Sequence, residues 1–516
     1  MTSVRTCLNA MTPSTLRQNR IEIVSKPPLG KKPDDQSSYK LMVFRMRLKL
    51  LALLFAGTVA MTGERCWADD GKSRKVVSPA ETPSMNVVLF LIDDLGWKDL
   101  GCQGSDYYQT PNIDQLAAEG TRFTDAYAAC ALCSPTRASV MTGKYPARLM
   151  LTQWLPAGRW SPKENKKREG RFLRELPLEE FTLAETLRDA GYVTLHVGKW
   201  HLGGPPFSLP AQHGFDVNVA GSEHGSPGGY FYPYTGKWTV PTTGSPVVKT
   251  TLPDGKKGEY LTDRLTDEAI ALIRQNKDGP FFLYFPHYAV HSPLQAKPSM
   301  IDRYEAIPEK ERQGQPAYAA MVESVDQSVG RVMDVLSELG LDDHTMVIVT
   351  SDNGGLAKAT NHAPLRANKG SHYEGGIRVP MIIKAPGTSK QGSVNSAPVI
   401  TNDLYPTILD MVGLPLRPHQ HQDGVSLSAL LKGEKALDRE ALFWHYPHYN
   451  QHPHSAPASI IRRDSWKLIE FLETGEIELY NLASDIGETK DQSESQPELA
   501  RNLLAKLREW QVEVGA

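Results

Sequence analysis

Two pairs of polar residues stand directly after apolar segments and could together bind a divalent cation. Asp93 and Asp94 follow one run of β-forming residues, and Asp352 and Asn353 follow another. Carboxylate and amide oxygens are the ligands preferred by hard cations such as Ca²⁺ and Mg²⁺. Either pair alone is more simply explained as turn chemistry, because Asp, Asn and Gly favour turns. Two such pairs after two buried strands favour the metal interpretation.

The segment with the most chemical content begins at Cys133, in the order Cys-Ser-Pro-Thr-Arg-Ala-Ser, and continues to Thr142-Gly-Lys. Cys130 and Cys133 have the CxxC spacing of a redox pair or of half a zinc site, but the chain has no second CxxC and no thioredoxin-like strand precedes this one. A buried, inert cysteine is a second interpretation. Only Cys102, Cys130 and Cys133 lie beyond residue 68, and this odd number in an exported protein predicts a thiol that is unpaired, modified or intermolecular.

A third interpretation of this segment is a resemblance to a known family. Cys-x-Pro-x-Arg, continuing to Thr-Gly-Lys, is similar to the maturation signature of the type I sulfatases, which belong to the alkaline phosphatase superfamily. Thr136 stands where serine is commoner in that family, and the hydroxyl is kept. In those enzymes the cysteine is oxidised to formylglycine (3-oxoalanine), whose hydrated aldehyde attacks sulfate. The same conversion of Cys133 would explain the odd thiol count.

Other segments resemble the same family, so that the resemblance spans roughly residues 84–512. The run Gly198-Lys-Trp-His-Leu-Gly203 is similar to the family's second signature. His291 lies in a segment that resembles the one supplying the leaving-group histidine, and Lys369 matches a late active-site lysine. The run Glu478-Leu-Tyr-Asn-Leu-Ala-Ser-Asp485 resembles the family's C-terminal domain.

The resemblance implies a metal site and a catalytic set. The implied ligands of one calcium ion are Asp93, Asp94, Cys133, Asp352 and Asn353. The implied catalytic residues are Cys133, Arg137, Lys144, Lys199, His201, His291 and Lys369. His291, with Lys369, would protonate the leaving oxygen, and His201 would hold a hydroxyl of the hydrated aldehyde and later remove its proton. Lys144 has the alternative explanation of supporting the helix that carries Cys133.

The expected function is hydrolysis of a sulfate monoester, with a sulfated carbohydrate or an aryl sulfate as substrate and with a formylglycine-generating enzyme as maturation partner. One alternative is a formylglycine-dependent phosphate or phosphonate ester hydrolase. Another is a non-catalytic, calcium-dependent binder of sulfated glycans, although a binder has no need for both His201 and His291. The position of the sulfate on the substrate is left open.

The elements that must position these residues alternate between apolar runs and amphipathic helices, which predicts an α/β fold: an alkaline-phosphatase-like sandwich with a mainly parallel central sheet. The predicted strands of this sheet are Asn86–Ile92, Tyr192–Val197, Phe281–Phe285 and Thr345–Thr350. The predicted helices are Thr110–Gly120, Phe181–Gly191, Asp263–Lys277 and Ala317–Leu341. A catalytic domain is expected over 84–425. A small C-terminal α+β domain is expected over 426–516, with an antiparallel hairpin near Thr474 and a closing helix Pro497–Val514.

Residues 1–68 are predicted to be a leader with a signal peptide, and translation is expected to start at Met42 or Met46. Basic residues precede an apolar run from Leu50 to Met61, which is too short to span a bilayer. The protein is therefore expected to be exported, periplasmic or secreted, without a stable membrane span. Removing the leader leaves 46 basic and 55 acidic residues of the 57 and 59 in the chain. This acidic balance argues against a nucleic-acid partner, so an anionic substrate needs a local basic site.

Three further clusters have competing explanations. Aromatic and histidine-rich stretches at Glu223–Tyr232 and Trp444–Tyr449 suit either stacking on a ring of the substrate or packing between domains. The basic run Lys163–Arg168 is more simply a solvated loop than a glycan-steering patch. The histidines from His445 to His454 have no common metal-ligand spacing, so no metal is assigned to them.

Overall fold

The computed structural model describes residues 85–156, 165, 167–237, 247–250, 252–253 and 255–516. The predicted leader and part of the basic run at 163–168 lie outside these residues. The described strands are β1 (Asn86–Ile92), β2 (Thr121–Phe123), β3 (Ala126–Tyr127), β4 (Val193–Val197), β5 (Val217–Val219), β6 (Thr235–Lys237), β7 (Val247–Lys249), β8 (Phe281–Pro286), β9 (Thr345–Ser351), β10 (Met381–Lys384), β11 (Ser393–Asn395), β12 (Val399–Ile400), β13 (Leu442–Tyr446), β14 (Ala458–Arg463), β15 (Trp466–Phe471) and β16 (Ile477–Asn481). The described helices are α1 (Pro111–Glu119), α2 (Cys133–Thr142), α3 (Leu183–Asp189), α4 (Leu261–Gln275), α5 (Pro298–Glu305), α6 (Pro316–Glu338), α7 (Glu374–Ile377), α8 (Leu404–Met411), α9 (Ser428–Leu431) and α10 (Pro497–Val514).

Eight of these strands form the central sheet, in the order β11-β2-β10-β9-β1-β8-β4-β5. Strand β1 pairs in parallel with β8 on one side and with β9 on the other, and β4 continues the parallel pairing beyond β8. Strand β10 runs antiparallel to both of its neighbours. The sheet is therefore mixed but mainly parallel, as predicted.

Helices cover both faces of the sheet because its central strands are apolar on both sides. In β1, Val88, Phe90 and Ile92 pack into one core cluster with helices α1, α4, α5 and α6. The alternate residues Val87 and Leu89 pack into a second cluster with helices α2, α3 and α8. This alternation follows from the period of two along a strand, and burial on both faces is typical of parallel sheets.

The C-terminal part of the chain adds a second sheet, in the antiparallel order β13-β14-β15-β16, which packs against helix α10. The predicted hairpin and closing helix are confirmed, and β13 and β14 were not predicted. Trp444, in β13, is buried and its indole N–H donates to the carbonyl of Ala128 at 2.8 Å. This residue therefore packs against β3 and the segment that follows it. The domain division at residue 425 stays a prediction.

No described helix is long and apolar enough to cross a membrane. The predicted helices are all present, with ends that differ by at most three residues. The antiparallel strand β10 was missed because its sequence, Met-Ile-Ile-Lys, has only three consecutive apolar residues, which is too short a run to identify a strand.

A buried charge cluster joins the second sheet to the catalytic body. The ammonium of Lys467 in β15 lies 2.9 Å from Glu374 Oε1 and 2.8 Å from Glu488 Oε1. Arg378 forms a further ion pair with Glu374 at 3.0 Å. Burial raises the pKa of Glu488 to about 7, helped by Glu374 and opposed by Lys467. The folded chain therefore favours the protonated form of Glu488.

Replacing Glu488 with Gln should reduce the decrease in the free energy of unfolding that occurs as the pH rises. The stabilising contribution of Glu488 is full below the ordinary pKa of 4.5 and is lost as the pH rises through about 7. The wild type should therefore lose up to about 3 kcal/mol more than the variant across this window. The measurement is the change in melting temperature between pH 5 and pH 8. Glu476→Gln, an exposed hairpin residue, is the control, and equal changes in all three proteins would contradict the prediction.

Candidate active site

Four adjacent parallel strands place most of the predicted residues at one edge of the sheet. In the order β9-β1-β8-β4, the carboxyl ends of these strands lead into the segments that carry the candidates. Ligands bind at this edge in open α/β sheets, because the segments that leave the strands converge there. The residues contributed in this way are Asp93, Asp94, Lys199, His201, His291, Asp352 and Asn353.

Cys133 is the first residue of helix α2, and its Sγ lies 3.5 Å from Asp93 Oδ1 and 3.6 Å from Lys369 Nζ. The Thr136 hydroxyl fixes the preceding turn by accepting from the backbone N–H of Cys130 at 3.1 Å and by bonding to its carbonyl. Burial raises the pKa of the Cys133 thiol to about 12. An unmodified Cys133 is therefore held as a thiol, which is a weak nucleophile.

Three buried carboxylates are each matched by a buried cation. Asp352 Oδ2 accepts from the Arg137 guanidinium at 2.9 and 2.7 Å. The Lys199 ammonium lies 2.6 Å from Asp93 Oδ2, and the Lys369 ammonium donates to Asp94 Oδ1. All six side chains are at most 5% exposed. The formal charges of the three acids and three bases cancel, so a bound divalent cation would make this site net positive and attractive to an anion.

Burial and the nearby Asp352 together raise the pKa of Asp93 to about 7, against the opposing effect of Lys199. Burial also acts to raise the pKa of Asp94, but Lys369 and His291 outweigh it and hold that pKa well below its usual range. Arg137 and Lys199 likewise outweigh burial at Asp352 and lower its pKa. This is the pattern expected when several carboxylates are crowded together and a few cations are placed among them.

The backbone at two site residues adopts the left-handed conformation that non-glycine residues rarely use. Asp94 has φ = 63° and His201 has φ = 61°. Tyr318, in helix α6, holds the first of these turns by donating from its hydroxyl to the Asp94 carbonyl at 3.0 Å and to Asp99 Oδ2 at 2.6 Å. Such conformations persist where surrounding contacts determine them, and they are common at functional sites.

The two histidines differ in which nitrogen the protein uses. His201 Nε2 lies 2.6 Å from the carbonyl of Leu155, so Nε2 carries the proton and Nδ1 is the basic nitrogen. His291 Nδ1 lies 2.7 Å from the carbonyl of Ser292, whereas its Nε2 lies 3.9 Å from Asp94 Oδ2. Burial, together with nearby lysines, lowers the pKa of both, to about 3 for His291.

The cluster has the composition of a site for a hard cation. One ligand atom from each of Asp93, Asp94, Cys133 and His291 lies within 4.8 Å of the others. Asn353 donates through Nδ2 to Asp94 Oδ1 at 2.8 Å, and its Oδ1 is buried with no hydrogen-bond partner among the described residues. A buried amide oxygen without a partner is unfavourable, and coordination to a cation would satisfy it. The oxygen atoms of Asp93, Asp94 and Asn353 therefore suit a hard divalent cation.

Lys144 is the predicted catalytic residue that the structure does not bring to this cluster. It follows helix α2, whose ten residues separate it from Cys133 by roughly 15 Å. Its ammonium lies 2.6 Å from Glu180 Oε2. The structure therefore gives Lys144 a partner away from the site, in agreement with the alternative of supporting the helix.

The cluster opens into a cavity of about 340 Å³. The cavity is also lined by Trp154, Lys358 and Gln451, which no sequence motif predicted, together with His452. These residues come from segments far apart in the sequence, and no motif connects them. Their position could be found only from the folded chain.

The chain matches two family models, several known proteins and solved structures. Residues 85–414 match the family model described as Sulfatase, and residues 367–513 match the one described as N-sulphoglucosamine sulphohydrolase, C-terminal. A sulfatase of Formosa agariphila is 33% identical over 84% of this chain and 89% of its own length. Arylsulfatase A of Homo sapiens is 35% identical over 70% of this chain and 71% of its own length. The structure titled Ps i-CgsB in complex with k-i-k-neocarrahexaose aligns with a TM-score of 0.69 and 32% identity, covering 83% of this chain and 92% of that one.

Calcium should raise the melting temperature of the wild-type protein, and Asn353→Leu should reduce this rise. A ligand that binds only the folded state stabilises it by about 2.7 kcal/mol at one hundred times its dissociation constant. Each tenfold loss of affinity removes about 1.4 kcal/mol of this stabilisation at a fixed calcium concentration. The measurement is thermal unfolding with calcium and with a chelator. Asn361→Leu, at an exposed asparagine, is the control, and an unchanged rise in Asn353→Leu would contradict the predicted ligand role.

Proposed function

This chain belongs to the sulfatase family and is a sulfuric ester hydrolase, and from that premise we propose that it cleaves sulfate monoesters with a formylglycine made from Cys133. The observation that carries the proposal is the position of Cys133, whose side chain lies between the Asp93 carboxylate and the Lys369 ammonium. In this position, the Sγ of Cys133 faces the Lys369 ammonium, which can neutralise an anion.

The cysteine must first be converted, because the unmodified thiol is protonated and buried. We expect a formylglycine-generating enzyme to act before helix α2 packs, since Cys133 is only 4% exposed in the folded chain. The hydrated aldehyde then supplies a hydroxyl nucleophile for attack on sulfur. A bound calcium ion supplies charge that neutralises the oxygens of the sulfate group. The residues that would hold the ion are Asp93, Asp94, Asp352, Asn353 and the modified residue 133.

Arg137, Lys199 and Lys369 orient these groups. The Arg137 guanidinium reaches Asp352 with two N–H groups and the carbonyl of Lys199 with a third, at 3.0 Å, which ties the first signature to the second. Because two N–H groups of Arg137 donate to one oxygen, Asp352 Oδ2, they fix the position of that carboxylate. The Lys369 ammonium is close to both Asp94 and Cys133, so it can contact the sulfate as it reacts.

Proton transfer is assigned to the two histidines. His291 lines the cavity and its Nδ1 is occupied by the Ser292 carbonyl, so Nε2 is the nitrogen that can protonate the leaving oxygen. The negative charge of the bound sulfate ester favours the protonated imidazole in the complex. His201 presents the basic Nδ1 and would hold and deprotonate a hydroxyl at residue 133.

The substrate is proposed to be a sulfated carbohydrate. Several relatives are N-acetylgalactosamine-6-sulfatases, and one solved structure that is 32% identical to this chain is in complex with k-i-k-neocarrahexaose. A cavity of about 340 Å³ is in the range of small-molecule sites. We also propose that residues 1–68 direct export.

The direct test is hydrolysis of an aryl sulfate by protein produced with and without an active formylglycine-generating enzyme. We expect activity only with the maturation enzyme, and none above background from Cys133→Ala produced with it. The matched aryl phosphate should be a much poorer substrate, because the family function is sulfate ester hydrolysis. Equal activity of Cys133→Ala would contradict the proposal, and calcium-dependent binding without turnover would favour the glycan-binder alternative.

A second prediction separates the two histidines. His291→Ala should lower kcat/KM by about 100- to 10,000-fold for esters with poor leaving groups, the typical contribution of a general acid. The loss should be much smaller for 4-nitrophenyl sulfate, whose leaving group needs little protonation. His201→Ala should reduce activity on both substrates, because its role does not depend on the leaving group. Equal losses on both substrates in His291→Ala would contradict its assignment as the acid.

A further inference from the structure

Two cavities share one wall at the mouth of the active site. Ala357 and Lys358 line the cavity of about 340 Å³ that holds Cys133, and they also line a neighbouring cavity of about 700 Å³. The two residues therefore form a ridge between the reacting centre and a second, larger recess. A group attached to the bound sulfate ester can cross this ridge.

Hydrogen bonds from Gln315, and one between Thr360 and Asp99, hold the backbone of the ridge in place. The carbonyl of Lys358 accepts from Gln315 Nε2 at 2.5 Å, and the carbonyl of Ala359 accepts from the Gln315 N–H at 2.8 Å. The next residue, Thr360, donates from its hydroxyl to the buried Asp99 at 2.8 Å. The Lys358 side chain is therefore exposed on a backbone held in one place.

Lys358 differs in its charge environment from the other cations of the site. Arg137, Lys199 and Lys369 each have a carboxylate partner. Within the described part of the chain, Lys358 forms no ion pair, so its charge is available to a ligand. A cation without an acidic partner at the mouth of an anion-binding cavity adds attraction for a second negative group.

The walls around the ridge suit a polar, ring-shaped substrate. The larger recess is lined by Thr360, Asn361 and His362, and also by the oppositely charged Glu309 and Arg312. On the opposite side of the smaller cavity, the loop after β13 contributes Gln451 and His452. This loop is fixed next to Lys369, because Asn450 Nδ2 donates to the carbonyl of Gly370 at 2.9 Å.

We infer that the substrate carries a second anionic group beyond the sulfate ester that is cleaved, and that Lys358 binds this group at the ridge between the two cavities. The inference rests on the proposed function and extends it to the specificity of the same site. The substrate class is thus an oligosaccharide with at least two anionic groups, whose second unit enters the larger recess. Lys358 acts on binding and takes no part in the chemistry.

The test measures binding rather than turnover, so that its failure and the failure of the proposed function are distinguishable. The probes are inorganic sulfate, which has one anionic centre, and a short dextran sulfate oligosaccharide, which has several. Dissociation constants are measured by calorimetry in calcium buffer for the wild type, Lys358→Gln and Lys277→Gln. Lys277 is a matched exposed lysine just before β8, at the opposite edge of the sheet from the site.

We expect Lys358→Gln to weaken oligosaccharide binding about two- to fivefold, within the range for loss of one exposed charge contact, while sulfate binding changes less than twofold. Lys277→Gln should leave both dissociation constants unchanged. Equal dissociation constants for the oligosaccharide in the two variants would overturn the inference, and so would a parallel loss of sulfate binding in Lys358→Gln.

Discussion

Three carboxylates buried within a few ångströms of one another are the constraint on which the rest of the structure depends. Asp93, Asp94 and Asp352 follow two neighbouring parallel strands, and burying a charge without a partner is very unfavourable. The fold supplies three cations from three other segments, each within hydrogen-bond reach of one acid. Removing one partner of such a pair leaves an uncompensated charge in the interior. These three ion pairs therefore fix the relative positions of helix α2, which carries Arg137, the turn after β4, which carries Lys199, and the segment that carries Lys369.

The C-terminal sheet takes part in this arrangement through the lysine segment. Lys369 has no regular element of its own, and its backbone N–H donates to the carbonyl of Gly355 at 3.0 Å, while that of Gly370 donates to Ala131 at 2.9 Å. The segment then continues to Glu374, whose N–H donates to Glu488 at 2.7 Å. Lys369 is thus held between the turn that follows Asp352 and Asn353, the loop before Cys133 and the second sheet. Loop residues can carry catalysis when rigid elements position them in this way.

Local patterns predicted much of the fold and the composition of the site. The central parallel strands and the long helices followed from periodicity, and Cys133, Lys199, His201 and Lys369 followed from short motifs that resemble a family. Residues that meet only through tertiary packing carried no such signal. Lys358, for example, was identified only from its position in the wall between two cavities. Lys144 shows the converse, since it stands in a motif but lies beyond the end of the helix, paired with Glu180.

The central claim is that residue 133 reacts as an aldehyde hydrate and not as a thiol. The most direct measurement is the mass of the proteolytic peptide that contains Cys133, from protein produced with a formylglycine-generating enzyme that is active on a control substrate. Conversion of the thiol to the aldehyde lowers this mass by about 18 Da. We predict that the lighter, aldehyde form of this peptide is present. The fraction of the peptide in the aldehyde form should rise with the specific activity of the preparation. Unmodified cysteine throughout, in protein that still hydrolyses sulfate esters, would contradict the account.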